Sequence, residues 1–544
     1  MKSCLFLISL LFLVNCSPES SLRSLSSYVN PINRVRIDVV NQALYQLPLR
    51  QSVSMYDMID AMIQQANNFA LIPPEVVFMI YRWIGNNIEF DCYNNMYYPS
   101  QVPYIDYDVY NKGMGADLGI TNLFNTMVKG FPFSSVSIEG WSKVQPMVQG
   151  TLPADPDHIW NGVTFEGASY LIDMAWGMGS CYGPQFQREY SDFYFCTDPN
   201  IFIRSHLPRI TQWQLLNPPK TINEFVNMLK LTKNFYVNGF QSVSPDKSTV
   251  NPTTSGKLTF TIIHDQMPKK FSIHLFYNYN DSWVEQGNAC WIDQNPSSAD
   301  MTCFANHKGT NKLYVYGANF ETTNPLPFLF EYDVVVNKNA LNPKGVPELY
   351  SDFLAGRDFH LIDPIENPLK RSRPVKFRIR SNDFSNMYII NYDPTRNNRH
   401  HRELDYKAGG EFIGEDVYIF GKEVEIATRA ADGGFNFIVR YDTIRDSTKA
   451  IDASFPYSYD APKNILYAPQ TDTLRIKQGY TFKIKCESCQ RICVKDHNNV
   501  VDLTKDKDSI FTGYVSIVGG GSQVEILNCD SNSCKTMYYY LLSY

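Results

Sequence analysis

Hydrophobic residues in the first part of the chain recur at helical spacing, interrupted by short alternating stretches. Between residues 74 and 87 the apolar positions i, i+3, i+4 and i+7 mark one helix face, formed by Val77, Ile80, Tyr81 and Ile84. The same criteria give helices over 55–63 and from Asp117, and strands over 136–138, 159–165 and 169–173. This mixture predicts an α+β domain over residues 25–235.

Beyond residue 245 the pattern changes to strict alternation, and it repeats along the chain. Three similar stretches, each near the start of a unit of about 100 residues, are Leu258–Ile262, Val375–Ile379 and Tyr480–Ile484. Alternation with frequent turn residues indicates half-buried strands. The repetition therefore predicts three all-β, Ig-like sandwich domains, over 245–340, 345–445 and 450–544. A single irregular β domain is the alternative, which the threefold correspondence disfavours.

The beginning of the chain has the pattern of a cleaved secretory signal. Lys2 is followed by an apolar run of eleven residues, Cys4–Val14, and then by small or polar residues. A run of this length is too short to cross a bilayer. Residues 1–16 are therefore predicted to be a signal peptide, the mature product is expected to be secreted, and no membrane span is expected. A lipid anchor at Cys16 is the alternative localisation.

Composition limits the kinds of partner. The chain carries 49 Lys and Arg against 55 Asp and Glu, a net charge of −6, and so lacks the basic footprint of a nucleic-acid-binding protein. Hydrophobic residues make up 44% and aromatic residues 14%, which favours folded β-structure and broad contact surfaces. We therefore expect an extracellular protein or peptide partner, or a glycan, and no nucleic acid. No cofactor is predicted.

Ten cysteines follow the predicted signal, an even number in an oxidising compartment, so disulfides are expected. Cys290 and Cys303 are expected to bridge within one β unit. The other candidates lie in the last unit and are Cys486, Cys489, Cys493, Cys529 and Cys534. Zinc is the alternative for this last set, and secretion argues against it because exported thiols oxidise. Asn280 begins the sequence Asn-Asp-Ser and is the predicted N-glycosylation site.

A histidine and an aspartate stand fifteen residues apart, on two of the predicted short strands. Antiparallel strands at this spacing bring His158 and Asp173 side by side, where a carboxylate can orient the imidazole. Cysteine-based acyl transfer also needs a thiol at a helix N-terminus, whose dipole lowers the thiol pKa. These groups occur in the chain order helix residue, His, Asp. The sequence therefore predicts the His–Asp part of such a site.

Segments around these residues match one known arrangement of motifs in order. They are Tyr81–Asp91 (like RWIxxNIxYD), Gly115–Phe124 (GxCxGYxxLF), Gly140–Lys143 (GYxK), His158–Asn161 (HAWNAV), Tyr170–Gly177 (YLIDxTWG) and Phe193–Leu216 (YF…P…HxP…WQLL). Together they resemble the transglutaminase-like superfamily, and most nearly its kyphoscoliosis-peptidase (KY) and hillarin type. The resemblance implies a papain-like, transglutaminase-like α+β domain over 25–235, followed by the β-sandwiches. It also implies that His158 and Asp173 are catalytic residues.

One position departs from that pattern. The family's nucleophilic cysteine falls on Asp117, and a carboxylate cannot supply a thiolate. Because aspartate is a favoured helix N-cap, the first interpretation is that Asp117 caps its helix in a domain whose catalysis has lapsed. Two alternatives stay open. Asp117, His158 and Asp173 can together form a site for a cation or a cationic group, or Cys92 or Cys181 replaces the missing nucleophile.

The sequence favours a secreted, catalytically degenerate protein that works by binding, in matrix or surface assembly or in peptide capture. Trp83, Trp160 and Asn161 are expected in the wall of the inherited cleft, with Trp160 nearest to it. The rival hypothesis is an active cysteine-type acyl-transferase or peptidase built on Cys92 with the same histidine and aspartate. A third hypothesis is a purely structural coat or adhesive protein.

Overall fold

The computed structural model describes most of the chain. The described residues are 28–143, 152–322, 325–339, 344–350, 357–371, 373–393, 398–445, 457–458, 464–469, 473–530 and 533–543. The predicted signal peptide over 1–16, with Cys16, lies outside them. The chain divides into two compact units. The first comprises the residues up to Asn238 with 246–248 and 328–331, and the second comprises the rest.

The first unit mixes helices with short strands. Its helices are α1 (Ile37–Tyr45), α2 (Met55–Asn68), α3 (Pro73–Asn87), α4 (Cys92–Tyr97), α5 (Asp106–Lys112), α6 (Asp117–Val128), α7 (Met174–Met178), α8 (Pro199–Phe202), α9 (Ile222–Asn227) and α10 (Lys233–Val237). Its strands are β1 (Glu89–Phe90), β2 (Met114–Gly115), β3 (Ser134–Ser142), β4 (His158–Phe165), β5 (Ala168–Ile172), β6 (Gly179–Tyr182), β7 (Gln185–Arg188) and β8 (His206–Pro208). The N-terminal region is therefore mixed, as its hydrophobic pattern predicted.

Helix α3 lies at the centre of this unit. It is buried over most of its length, including Glu75, whose carboxylate binds the guanidinium of Arg36 at 2.6 Å and accepts the Ile72 amide at 3.0 Å. Helix α2 begins with a capping box in which Ser54 and Asp57 bond each other's backbone amides. These helices share one apolar core with α6 and with strands β4 and β5. That core holds in place the elements that carry the candidate site.

A four-stranded sheet in the order β5-β4-β3-β8 packs against helix α6. Strand β4 pairs antiparallel with β3 on one side and with β5 on the other, and β3 also pairs with β8. Six of the eight residues of β4 are buried, so both faces of this strand are covered. The sheet therefore brings the ends of β4, β5 and β8 together within the fold.

The strands beyond residue 239 group into three β-sandwiches. The first contains β9 (Phe240–Ser244), β10 (Thr249–Val250), β11 (Lys257–His264), β12 (Lys269–Tyr279), β13 (Ser282–Glu285), β14 (Cys290–Asn295), β15 (Ser298–Phe304), β16 (Gly309–Asn319) and β17 (Phe328–Val336). The second contains β18 (Glu348–Leu349), β19 (His360–Asp363), β20 (Leu369–Lys370), β21 (Pro374–Arg380), β22 (Tyr388–Asp393), β23 (Asn398–Glu403), β24 (Asp405–Lys407), β25 (Glu411–Tyr418), β26 (Glu423–Arg429) and β27 (Phe435–Ile444). The third contains β28 (Tyr457–Ser458), β29 (Ile465–Ala468), β30 (Thr473–Arg475), β31 (Gly479–Lys485), β32 (Arg491–Asp496), β33 (Asn499–Asp502), β34 (Thr504–Lys505), β35 (Ile510–Ser516), β36 (Gln523–Cys529) and β37 (Cys534–Ser543).

The three sandwiches share one topology. Their smaller sheets run β9-β11-β15-β14, β19-β21-β25-β24 and β29-β31-β35-β34, and their larger sheets are built on β17-β16-β12-β13, β27-β26-β22-β23 and β37-β36-β32-β33. In each, a short strand (β10, β20 or β30) pairs in parallel with the last strand. The alternating stretches found in the sequence are β11, β21 and β31, which occupy the same place in each smaller sheet. Strand β9 begins at Phe240, ahead of the predicted boundary at 245.

A tyrosine contact is repeated in every sandwich. The hydroxyl of Tyr332 donates to the carbonyl of Pro245 at 2.7 Å, and in the same way Tyr441 donates to Pro364 at 2.6 Å and Tyr540 to Pro469 at 3.0 Å. Each tyrosine ring also packs edge-on against the phenylalanine of the repeated alternating stretch, in the pairs Phe260–Tyr332, Phe377–Tyr441 and Phe482–Tyr540. Each inter-sheet core therefore contains a buried tyrosine whose hydroxyl is satisfied.

Disulfides form within the sandwiches. The predicted Cys290–Cys303 bridge is present across β14 and β15, and Cys486–Cys489 and Cys529–Cys534 are bridged in the last sandwich. Cys493 was a disulfide candidate as well, but it is a buried free thiol. It has no partner left because Cys529, which lies nearest to it, is bonded to Cys534.

Two further expectations concern the surface. Asn280 lies exposed at the turn between β12 and β13, a position that an attached glycan can occupy without displacing the core. Its glycosylation stays a prediction. Among the helices in the described ranges, none has both the length and the apolar character needed to cross a bilayer.

Candidate functional site

Asp117 is the first residue of α6, and a parallel pair of strands sets its position. Strands β1 and β2 pair side by side, and helices α4 and α6 each begin two residues after their strand. Ala116 is the N-cap of α6, so the prediction that Asp117 is the cap is wrong. Asp117 instead lies in the first turn, where its negative charge complements the helix dipole, and its side chain turns towards the sheet.

His158 lies between two carboxylates. It is the first residue of β4, whereas Asp173 follows β5 directly and is the N-cap of α7. Nε2 of His158 lies 2.7 Å from Oδ2 of Asp173, and Nδ1 lies 3.0 Å from Oδ2 of Asp117. Through Oδ1, Asp173 also accepts the Trp176 amide at 2.9 Å. The structure thus brings together the three residues that the sequence singled out.

A second histidine, His206, completes the cluster. Strand β8 pairs with β3 so that His206 lies opposite Ser142. Its Nε2 is 2.9 Å from the same Oδ2 of Asp173, and its Nδ1 is 2.8 Å from Oγ of Ser205. His206 was not among the site residues predicted from the sequence, although it lies in the HxP part of the motif series. That motif was the one feature of the sequence that could have indicated His206 as a site residue.

The hydrogen bonds assign the charges of this cluster. Both ring nitrogens of His158 face carboxylate oxygens, so both donate and the ring is an imidazolium. Burial alone would lower the pKa of His158, but Asp173 and Asp117 outweigh it and raise this pKa well above its ordinary value. Burial acts to raise the pKa of Asp173, yet His158 and His206 hold it well below its usual range. Burial lowers the pKa of His206, which is neutral and donates from Nε2.

This protonation pattern limits the chemistry of the cluster. An imidazolium that donates from both nitrogens has no lone pair, so it cannot accept a proton as a general base. The side chains of His158 and Asp173 are 3% and 0% exposed, whereas that of Asp117 is 27% exposed. The free edge of the Asp117 carboxylate is therefore the charged group of this trio that a ligand can reach. It can accept hydrogen bonds from a cationic or an amide donor.

Asp117 lies where two surface depressions meet. One has a volume of about 650 Å³ and the other about 570 Å³. Both are lined by Asn95, Asp117, Asp157 and His158, and the larger is also lined by Trp176. We call the two together the Asp117 groove. A groove that passes over the carboxylates of Asp117 and Asp157 suits an extended ligand better than a small compact one.

Cys92 and Cys181 are joined by a disulfide. Neither has a thiol, so the alternatives in which one of them replaces the nucleophile are wrong. Cys92 does begin a short helix, α4, which its polar sequence did not reveal. Cys196 is a buried free cysteine, and burial raises its pKa well above the ordinary value, which opposes thiolate formation.

The residues expected in the cleft wall lie behind it. Trp160 is 1% exposed and packs edge-on against His206, with ring centres 5.2 Å apart. Asn161 is fully buried and donates to the Thr121 carbonyl at 3.2 Å, whereas Trp83 belongs to the apolar core. These positions correct the prediction, because β4 is covered on both faces. Trp176 is the tryptophan that lines the groove.

The buried trio His158, Asp173 and His206 consists of residue types that can bind a metal ion. One atom from each lies within 4.8 Å of the others, which is close enough to hold an ion. The same atoms already pair as two N–H donors and one carboxylate acceptor. A metal would have to displace both protons, including the one that gives His158 its positive charge. The hydrogen bonds alone therefore account for this arrangement.

The fold and the site together define a class of protein. The protein has a mixed helical and β unit with a buried His–Asp pair at a surface groove, followed by Ig-like β-sandwiches. Known proteins agree with this description. A family model described as a KY-like, immunoglobulin-like domain matches residues 222–347.

The chain is similar to kyphoscoliosis peptidase of Mus musculus, with 23% identity over 97% of this chain and 78% of that protein. The human kyphoscoliosis peptidase gives the same figures. Hillarin of Drosophila melanogaster is 28% identical over 29% of this chain and 21% of hillarin. The chain is thus a homologue of kyphoscoliosis peptidase along nearly its whole length, which confirms the KY and hillarin resemblance seen in the motifs.

Proposed function

We propose that this chain is a secreted, catalytically degenerate transglutaminase-like protein that binds a polypeptide in the Asp117 groove. The observation that carries the proposal is the hydrogen bond of 3.0 Å between Asp117, at the start of α6, and Nδ1 of His158. A helix start beside a histidine is where acyl transfer requires its thiol. Here a carboxylate stands at that point.

The carboxylate explains both the loss of catalysis and the preserved geometry. A cysteine thiolate beside His158 would form a thiolate–imidazolium pair, and Asp117 reproduces its charges with a carboxylate. The buried imidazolium keeps a partner, so the cluster stays stable without a nucleophile. We infer that the replacement preserved the site while removing its reaction.

The groove has features that suit a polypeptide with a basic or amide-bearing side chain. Asp117 and Asp157 contribute two negative charges, and the adjacent positive charge of His158 is already shared with buried Asp173. Exposed tyrosines lie along the neighbouring chain segment, and they are Tyr93, Tyr97, Tyr98, Tyr104 and Tyr107. Tyr104 also lines the smaller depression. Tyrosine is enriched at protein interfaces because it offers a large contact area and one polar group.

Secretion is part of the proposal. Its support is the apolar run Cys4–Val14 at the start of the chain together with the four disulfides of the described residues. Disulfides persist in oxidising compartments. A tagged full-length chain expressed in secretory cells should appear in the medium without residues 1–16, as read by N-terminal sequencing. Retention of those residues on a cytosolic product would refute this part.

The test of lost catalysis compares the natural protein with Asp117→Cys. We expect no amine incorporation or peptide hydrolysis by the natural protein and a measurable gain in Asp117→Cys, because a thiol is then placed beside His158. His158→Ala in the Asp117→Cys background should abolish that gain. Activity of the natural protein that survives in the presence of a thiol alkylating agent would contradict the proposal.

The test of binding uses peptides selected from a random displayed library on the natural protein. Selected peptides should share a lysine, arginine or glutamine, and Asp117→Asn should weaken their binding about tenfold, the loss expected for one charge-assisted hydrogen bond. Asp60→Asn, which changes an exposed carboxylate of α2 outside the groove, is the matched control and should have no effect. Equal losses in both variants would contradict a role for the groove.

A further inference from the structure

Three sulfur atoms lie together at one edge of the last sandwich. Cys493 is on β32, Cys529 is the last residue of β36, and Cys534 is the first residue of β37. Cys529 and Cys534 are directly paired across their strands and joined by a disulfide. Strand β32 pairs with the other side of β36, and Sγ of the free Cys493 lies 3.5 Å from Sγ of Cys529. A thiol thus contacts a disulfide from the neighbouring strand.

The three cysteines differ in exposure. Cys493 and Cys529 are 1% and 2% exposed, whereas Cys534 is exposed. A bond between Cys493 and Cys529 requires the two sulfurs to approach by about 1.5 Å to reach the usual S–S length. The buried pair would then be bridged, and the sulfur left without a partner would be the one at the surface.

We propose that these cysteines form a thiol–disulfide relay that delivers a reactive thiol to the protein surface at Cys534. The thiolate of Cys493 attacks Sγ of Cys529, the Cys529–Cys534 bond breaks, and Cys534 leaves as a thiolate that takes up a proton. One disulfide forms as one breaks, so the step needs no oxidant or reductant. The product has a Cys493–Cys529 bridge between β32 and β36 and a free Cys534.

The surroundings of Cys493 set the rate of this exchange. Burial raises the pKa of the Cys493 thiol, the guanidinium of Arg491 on the same strand opposes that rise, and Asp502 on β33 adds to it. Arg491 and Asp502 are themselves paired at 2.7 Å. The attacking thiolate is therefore scarce at neutral pH, and exchange should accelerate as the pH rises.

The exposed thiol gives the last sandwich a means of covalent attachment. The thiolate of Cys534 can attack a disulfide of a second molecule, forming a mixed disulfide and releasing the thiol of that molecule. The reacting partner is thus defined by chemistry as an accessible disulfide. Oxidised glutathione is a suitable probe, since it is small and symmetrical.

The experiment labels the native full-length protein with a maleimide and maps its cysteines by mass spectrometry after non-reducing digestion. We expect labelled Cys534 together with a Cys493–Cys529 linked peptide, forming about tenfold faster at pH 8 than at pH 7 because the thiolate fraction rises tenfold. Incubation with oxidised glutathione should place glutathione on Cys534.

Two variants test the relay. Cys493→Ser should reduce labelling of Cys534 at least tenfold, and Cys493→Ala serves the same purpose if the serine variant fails to fold. Cys196→Ser removes the other buried free cysteine of the described residues and should leave the labelling unchanged. Labelling of Cys493 itself with an intact Cys529–Cys534 bridge would overturn the proposal. So would labelling of Cys534 that persists in Cys493→Ser.

Discussion

The N-terminal unit and the three β-sandwiches both bury polar side chains, and they satisfy them differently. In each sandwich a neutral tyrosine hydroxyl donates to one proline carbonyl, and the same contact occurs three times. In the N-terminal unit the cluster around Asp173 contains a buried charge pair with His158, it occurs once, and it ends at the exposed edge of Asp117.

This difference indicates that the buried tyrosine hydroxyls have a structural role, whereas the buried charges around Asp173 have a functional one. A neutral donor matched to one acceptor costs little to bury and specifies how two sheets pack. A buried ion pair is expensive to desolvate and is weak evidence for stability, so its retention points to a role beyond packing. The open side of Asp117, facing a groove, indicates where that role lies.

The largest effect is expected from a substitution at the buried carboxylate of Asp173. Asp173→Asn leaves the His158 imidazolium with one partner and weakens the bond to His206, so we expect a loss of about 3–5 kcal/mol in the stability of the N-terminal unit. Asp117→Asn is the matched change at the exposed end and should cost about 1 kcal/mol. Urea unfolding followed by tryptophan fluorescence gives both values. Equal losses would mean that burial does not distinguish the two carboxylates.

The second prediction concerns pH. The folded pKa of His158 is raised, so its stabilising contribution is complete below the unfolded value of about 6.5 and is lost as pH rises through the folded pKa. The folded pKa of His206 is lowered, so its pH-dependent contribution falls below about pH 6.5 and is constant above it. Between pH 7 and 9 the contribution of His158 should therefore fall by up to about 1.4 kcal/mol per pH unit. Buried Lys143 in the same unit acts in the opposite direction, because burial lowers its folded pKa to about 7 and its contribution to stability rises with pH above that value.

His158→Gln is the control for this slope, because glutamine keeps hydrogen-bonding capacity without titrating. The melting temperature of the N-terminal unit, measured at several pH values, should fall above pH 7 in the natural protein relative to the variant, in which the Lys143 contribution is unchanged. The same pH dependence in both would mean that His158 is not its source.

The smallest effects are expected at the buried tyrosines of the three sandwiches. Tyr332→Phe, Tyr441→Phe and Tyr540→Phe each remove one hydroxyl and leave a proline carbonyl unpaired, at a cost of about 1 kcal/mol each. Calorimetry should show similar downward shifts for the three sandwiches. The exposed Tyr514→Phe should show none. Widely different shifts in melting temperature would mean that the tyrosine–proline contact does not contribute equally to the three sandwiches.

Sequence patterns predicted the elements that carry regular spacing. The apolar positions of α3 and α6 follow a helical period, and β11, β21 and β31 alternate, so each could be recognised alone. His158 and Asp173 were found because chain order and spacing restrict how adjacent strands pair. The contact between Asp117 and His158 was expected only as an alternative to helix capping, because the preference of this side chain for His158 over the helix amides depends on the sheet beside it.

Other features depend on tertiary pairing and leave no local pattern. His206 lies on a strand of three residues, too short for a period, and it reaches Asp173 because β8 pairs with β3. The Cys92–Cys181 bridge joins segments 89 residues apart, and ten cysteines allow many pairings. Trp160 could not be assigned to wall or core from sequence, because β4 is buried on both faces.

The tyrosine–proline contact also bears on how such a chain can change over evolutionary time. The donor tyrosine, the acceptor proline and the packing phenylalanine of each contact all lie within one sandwich. No sandwich therefore depends on another sandwich for this contact. Duplication or deletion of a whole sandwich would leave each of these tyrosine hydroxyls with its hydrogen-bond acceptor. Related chains can therefore differ in the number of sandwiches through recombination. The cluster of Asp117, His158, Asp173 and His206, in contrast, must be inherited as a whole.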